Sequence, residues 1–360
     1  MTSQKCFVVI ISMIVLSFNG ANGHDKKQGE PCILDSTGKA GVCTHISKCP
    51  KVLAEAFEGI TPQVCSYAGT VAVVCCPEDG PKTSCAPLDK SLVTVPRTGS
   101  RARDYCISLA EVAFPCNETD WTRGNICPKV PARNQTDKRV ITGDFPHLAA
   151  LSYDDDMNKK GFVWHHLASL ITDQWVLSDY YCTNLAKFVK LGGLKWNEYS
   201  DRSLVFSIIS KVFHPDSGGA DGDYNRVGLI KLDRKVTFSP VLFPACLHTG
   251  GAFNENQLSY ISQENSVYTR WNMRPVSYEE CSDVIIRPVR NATQMCVTRV
   301  KEGGVQTGIS GGPLQVNNDE SVACTQLIVA IHATEEPTKT VLLTTRVYGV
   351  LAWIESVVWP

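Results

Sequence analysis

An all-β domain behind a small disulfide-knotted module is the fold class this sequence predicts, and three observations predict it. From Val140 onward, short apolar runs alternate with turn residues; six cysteines crowd into residues 32–76; and the closing stretch VLAWIESVV has helical rather than strand spacing. With 360 residues and 43% hydrophobic content there is room for one ordinary core plus a smaller module. A net charge of −1 supplies no global field of either sign, so nothing in the composition points to nucleic acid or to an anionic membrane.

The first residues, MTSQKCFVVIISMIVLSFNGANG, place a lysine before an apolar run from Cys6 to Phe18, followed by small residues. This is the pattern of a secretory signal over residues 1–23, because the run is shorter than the ~20 residues a bilayer requires. No later apolar stretch is long enough to span a membrane. Sixteen cysteines on a secretory route imply disulfides rather than metal thiolates. Removal of Cys6 with the signal leaves an odd number, so at least one thiol is free or pairs with another chain. Sequons at Asn117, Asn134 and Asn291 fit the same route.

Cys32, Cys43, Cys49, Cys65, Cys75 and Cys76 form a self-contained group ending in an adjacent pair. So short a segment cannot bury enough apolar surface to fold unaided, and bridges would supply the constraint. The residues alone leave the pairing open. Residues 77–139 scatter Pro, Gly, Arg and four further cysteines and read as a linker. A short amphipathic helix is expected around Tyr105 to Val112. Strand-like runs follow, among them FPHLAAL, LASLITDQWVLS, SLVFSIISKVFHP, VGLIKLDRKV, VACTQLIVAIHA and KTVLLTTRV, giving one β domain over residues 140–360 with a barrel or sandwich architecture.

The spacing Cys-x10-Cys-x5-Cys-x15-Cys-x9-Cys-Cys resembles the clip domain of arthropod proteases. By that resemblance the pairs are Cys32–Cys75, Cys43–Cys65 and Cys49–Cys76, over a module of residues 32–76. The remainder resembles the chymotrypsin-like serine proteases in five ordered stretches: VITGDFPHLAAL, LITDQWVLSDYYC, YNRVGLIKLDRKVTFSPVLFPACL, GISGGPLQ and TTRVYGVLAWIESV. FPACL and the late Cys324 are most similar to insect clip proteases of the Snake type. The resemblance implies a double β-barrel with a C-terminal helix, and neither cofactor nor metal.

Chemistry on that fold needs a serine hydroxyl, a histidine to take its proton and an aspartate to hold the histidine. Here Tyr181 stands before Cys182 where the family has histidine, Arg226 stands where it has aspartate, and only Ser310 matches. A phenol with a pKa near 10 is no base at neutral pH. A guanidinium at position 226 must find a partner or reach solvent. The resemblance also marks Arg139–Val140 as the activation bond, Ile309 as the lost carboxylate partner of the freed amino group, and Gly304, Glu335 and Leu342 as a specificity pocket whose walls are filled. It pairs Cys281 with Cys296 and tethers Cys246 to a linker cysteine, for which Cys127 is the expected partner. Cys182 loses its family partner to His166 and is the expected odd thiol.

Blander readings stand beside these. Ser310 persists because a small residue suits a Gly-flanked turn. His165 and His166 lack ligand companions at a zinc-type spacing, and Asp154, Asp155 and Asp156 read as a solvated loop. The resemblance implies a secreted protease homologue that acts by binding, as cofactor or decoy in a cascade such as prophenoloxidase activation. Its partners would be other secreted proteases or prophenoloxidase-type substrates. A weak serine endopeptidase, a venom protein acting on melanisation and a protein that recognises microbial surfaces are the alternatives.

Overall fold

The computed structural model describes residues 26–77, 85, 99–117, 122–127, 138–141, 143–157, 163–192, 204–217, 224–264, 267–285, 288–300, 310–318, 325–335 and 341–360. The signal-like segment, Asn134, Lys301, Gly304, Gln306, Ile309 and Cys324 lie outside the described residues. Two compact units emerge, one of Met1–Pro87 with Cys116–Gly124 and one of Leu88–Pro115 with Asn125–Pro360, so the segment read as a linker is shared between them.

In the first unit β1 (Pro31–Ile33), β2 (Ala40–His45), β3 (Val64–Ala68) and β4 (Val71–Pro77) form an antiparallel sheet in the order β1-β2-β4-β3. Helix α1 (Pro50–Phe57) starts on a proline, whose fixed φ and missing N–H suit a first turn. Its Val52 packs with Ile46, Cys49, Ala72 and Val74 in a core too small to stand alone. Disulfides Cys32–Cys75, Cys43–Cys65 and Cys49–Cys76 staple that core, and Cys85–Cys116 adds a fourth.

The second unit opens with α2 (Arg101–Ala113), one turn longer at its start than the expected helix. Its apolar face, Cys106, Leu109, Ala110 and Ala113, is buried against Phe243 and Cys246. No side chain of its own caps α2. Instead the Glu355 carboxylate accepts from the Ala102 amide at 2.9 Å and from the Ser100 hydroxyl at 3.0 Å, which places an anion at a helix N-terminus where the dipole favours it. This docking turns Cys106 toward Cys246, and these two form the disulfide. The expected Cys127–Cys246 pair is therefore corrected: the buried face of α2 carries the cysteine that bonds Cys246, and Cys127, half-buried against the same cluster, is disulfide-bonded elsewhere.

Strands β5 (Leu148–Ser152), β6 (His166–Leu170), β7 (Trp175–Ser178), β8 (Phe188–Leu191), β9 (Val205–Phe213) and β10 (Gly228–Leu232) close into a barrel in the order β10-β7-β6-β5-β8-β9. Leu151, Leu170, Val176, Leu191, Ile230 and Leu232 fill it. The short helix α3 (Tyr180–Leu185) follows β7 directly. A second sheet runs β11 (Cys246–Leu247), β12 (Ser259–Glu264), β13 (Val267–Pro275), β14 (Gln294–Arg299), β15 (Pro313–Asn317), β16 (Gln326–Glu335) and β17 (Leu342–Arg346). Its order is β11-β16-β15-β12-β13-β14-β17, and β17 pairs back onto β16, which closes a second barrel.

Helix α4 (Tyr278–Val284) carries Cys281, bridged to Cys296 on β14. The C-terminal α5 (Val347–Val358) buries Val347, Val350, Leu351, Ile354 and Val358, a 3.6-residue stripe, in a cluster with Leu177 and Leu229 of the first barrel and Ile328 and Ile331 of the second. Two barrels with a terminal helix are the architecture the resemblance implies. Among the described residues no helix is long and apolar enough to cross a membrane.

Candidate active site

The turn between β7 and α3 and the turn before β10 face each other, and what they bring together is an ion pair. Asp179 is the N-cap of α3, its Oδ1 accepting from the Tyr181 amide at 2.8 Å. The same carboxylate accepts from Arg226 twice, from Nε at 3.0 Å to Oδ2 and from Nη2 at 3.1 Å to Oδ1. The Asp179 side chain has no exposure and that of Arg226 has 14%. Two features of the chain allow the approach. Asn225 takes the left-handed backbone at φ 51°, which Asn tolerates better than most residues. Gly228 sits so close to α3 that a Cβ there would meet the Thr183 hydroxyl at 2.5 Å.

Burial pushes the Asp179 carboxyl above its ordinary range, and the Arg226 charge and the amides of Tyr181 and Cys182 pull it back. The partner that Arg226 requires is thus Asp179, which the sequence reading missed. The signal lay in the quoted LSDYYC run, where an acid stands two residues before Tyr181. Tyr181 itself is 52% exposed. Cys182 is buried and free. Burial, reinforced by the Asp179 charge, raises its thiol far above the usual range, so the thiolate a nucleophile would need is suppressed.

Ser310 is half-buried at the entry to β15. The next residue, Gly311, has φ +83°, and a Cβ on it would lie 2.3 Å from both the Leu167 carbonyl and the Ser178 hydroxyl. Only glycine lets the serine turn press against β6 and the end of β7. The Gly311 amide donates to the His332 carbonyl and the His332 amide to the Gly312 carbonyl, each at 3.0 Å. His166 is a neighbour of Ser310. Burial lowers its pKa, and a hydrogen bond to the Ser310 backbone opposes that shift. Its ring and that of His165 both stack on Tyr153, with centroids 4.9 and 4.8 Å away. Asp154 accepts from the Val163 amide and Asp155 pairs with Lys187.

Of the residues expected at the pocket, Glu335 and Leu342 are backbone register partners of β16 and β17. Leu342 is 2% exposed and packs in the second-barrel core with Leu258, Tyr260 and Met273. Arg139 bridges to Thr269 on β13, and Val140 is 6% exposed. Asn117 and Asn291 are exposed.

A family model described as Trypsin matches residues 137–354, well over half of the chain. Among curated proteins, the chain is similar to Serine protease snk of Drosophila melanogaster, 24% identical over 360 residues that take in 92% of this chain and 79% of that protein. It is 27% identical to Serine protease Hayan of the same species over 257 residues, 62% of this chain and 38% of that one. It is also 24% identical to Melanization protease 1 over 272 residues, 64% of this chain and 66% of that one. With its two barrels, its terminal helix and this match, the chain belongs to the trypsin family.

Proposed function

We propose that this chain is a secreted, non-catalytic member of that family, a binding regulator in an extracellular protease cascade. The carrying observation is that Arg226, read as standing at the family's aspartate position, is committed to the buried Asp179, while Tyr181 stands at the position read as that of the proton-taking histidine. A guanidinium held by two charge-assisted bonds neither takes a proton nor steadies an imidazolium. Leu342, committed to the core, supports the same reading, because a substrate side chain would have to displace it. The barrels then present loops as recognition surfaces, and the stapled first unit adds a second surface on the same chain.

The partner is another secreted protease or a prophenoloxidase-type substrate, and the name of one relative, Melanization protease 1, favours a melanisation cascade. The test adds purified protein and a Ser310→Ala variant to a melanisation assay, with serine-directed phosphonate labelling alongside. Equal shifts in rate without labelling fit a binding regulator. Labelling of Ser310 with peptide turnover, or activity confined to the serine form, overturns the reading in favour of a weak endopeptidase.

A further inference from the structure

The bond at which relatives of this architecture would be expected to be cut is here part of a β-sheet. The Val140 amide donates to the Tyr268 carbonyl at 2.8 Å, and the Arg270 amide donates to the Lys138 carbonyl at 2.7 Å. Between these two bonds Arg139 sits in antiparallel register with Thr269. Residues 138–140 therefore lie along β13 as a short additional strand.

Side chains fasten it further. Val140 is buried in a cluster with Phe145, Leu148, Leu167, Ile261 and Tyr268. The Lys138 ammonium lies 4.0 Å from the centroid of the Trp271 ring, and the Arg299 guanidinium lies 3.5 Å from the same centroid. Trp271 is itself held by a 2.8 Å hydrogen bond from its Nε1 to the Ser262 hydroxyl. Just beyond Val140 the chain turns at once: the Ile141 amide donates to Asp144 Oδ2 at 2.9 Å, and the Asp144 amide to the Ile141 carbonyl at 3.1 Å.

A protease binds its substrate as an extended strand, paired along the backbone with its own groups. Amides and carbonyls already paired with β13 are not available to it. We infer that the Arg139–Val140 bond is latched against β13 and withheld from trypsin-like proteases, so that this chain works in its uncut, single-chain form. Cutting requires residues 138–141 to peel away, exposing Val140 and breaking both backbone bonds. The cleavage rate then follows the small population of the open state. This inference is independent of whether Ser310 reacts, since it concerns β13 and residues 138–144 alone.

The experiment treats the full-length secreted protein with trypsin at low dose and follows cuts after Lys138 and Arg139 by mass spectrometry, against a synthetic peptide of residues 133–146. The folded chain should be cut there at least about 100-fold more slowly than the peptide. Trp271→Ala, which removes the platform under Lys138 without touching the scissile sequence, should accelerate the cut several-fold. Hydrogen exchange at the Val140 and Arg270 amides of the unaltered protein gives a readout that needs no variant, and both should be protected. Cleavage at the peptide's rate, or free exchange of both amides, overturns the latch.

Discussion

Arg226 and Asp179 form a two-pronged ion pair, Nε to Oδ2 at 3.0 Å and Nη2 to Oδ1 at 3.1 Å, in the turns between β7 and α3 and before β10. The carboxylate also caps α3 through the Tyr181 amide, so one side chain orients both the helix and the guanidinium. Removing either partner strands the other in a site with little access to water. Asp179→Ala and Arg226→Ala should each cost about 3–5 kcal/mol in urea unfolding, with the double variant costing less than the sum. Additive losses would show that the two residues do not act as a pair.

Restoring the family's side chains should not restore chemistry. In Tyr181→His combined with Arg226→Asp, the new aspartate meets Asp179, and two carboxylates cannot both ionise in one buried place. That variant should hydrolyse no Arg-containing chromogenic peptide and should unfold at lower urea than the parent. Adding Asp179→Ala should recover part of the stability but not the activity, because Leu342 remains packed with Tyr260 and Met273. Turnover well above background in the first variant would refute the view that the ion pair and the filled pocket are independent obstacles.

The strands and the terminal helix were legible because their periodicities are local: Val347, Val350, Leu351, Ile354 and Val358 announce a buried stripe without knowledge of what covers it. The orphaned Cys182 was equally legible, as was the need of Arg226 for a partner. What the chain did with them was not. The Asp179 contact spans 47 positions, and opposite charges that far apart carry no sign of meeting. The Cys246 partner depended on the docking of α2 through Glu355, a contact across 253 positions, so the linker cysteine nearer in sequence was the natural and wrong choice. Pairing of Arg139 with Thr269 is likewise a non-local sheet contact, invisible to a motif that reads as a cleavable loop.

The buried Cys182 yields a third prediction. Its thiol has no exposure and is held protonated by burial beside the Asp179 charge. A thiol reagent such as iodoacetamide at pH 8 should leave Cys182 unmodified in the folded protein and label it in denaturant without reductant, as mapped by mass spectrometry. Rapid labelling of Cys182 in the native state would mean that the α3 turn opens far more readily than its bonds to Arg226 imply.

His147 supplies the last prediction, a pH dependence of stability. Its ring is 1% exposed and donates from Nε2 to Gln315 Oε1 at 2.7 Å, a neutral arrangement. Burial, opposed by that hydrogen bond, lowers its pKa from 6.5 to about 4. In the unfolded chain the imidazole takes up its proton near pH 6.5, whereas in the folded chain it does so only near pH 4. The unfolded state therefore binds more protons between these values, and stability must fall as the pH drops through that window. The contribution is complete above pH 6.5 and amounts to about 3 kcal/mol lost by pH 4. His166, also pushed down by burial, acts with the same sign. Urea unfolding at pH 7.5 and pH 4.5 should show this loss, and His147→Gln, which can still donate an amide hydrogen to Gln315, should show a markedly shallower one. An equally steep decline in that variant would move the origin of the acid sensitivity away from His147.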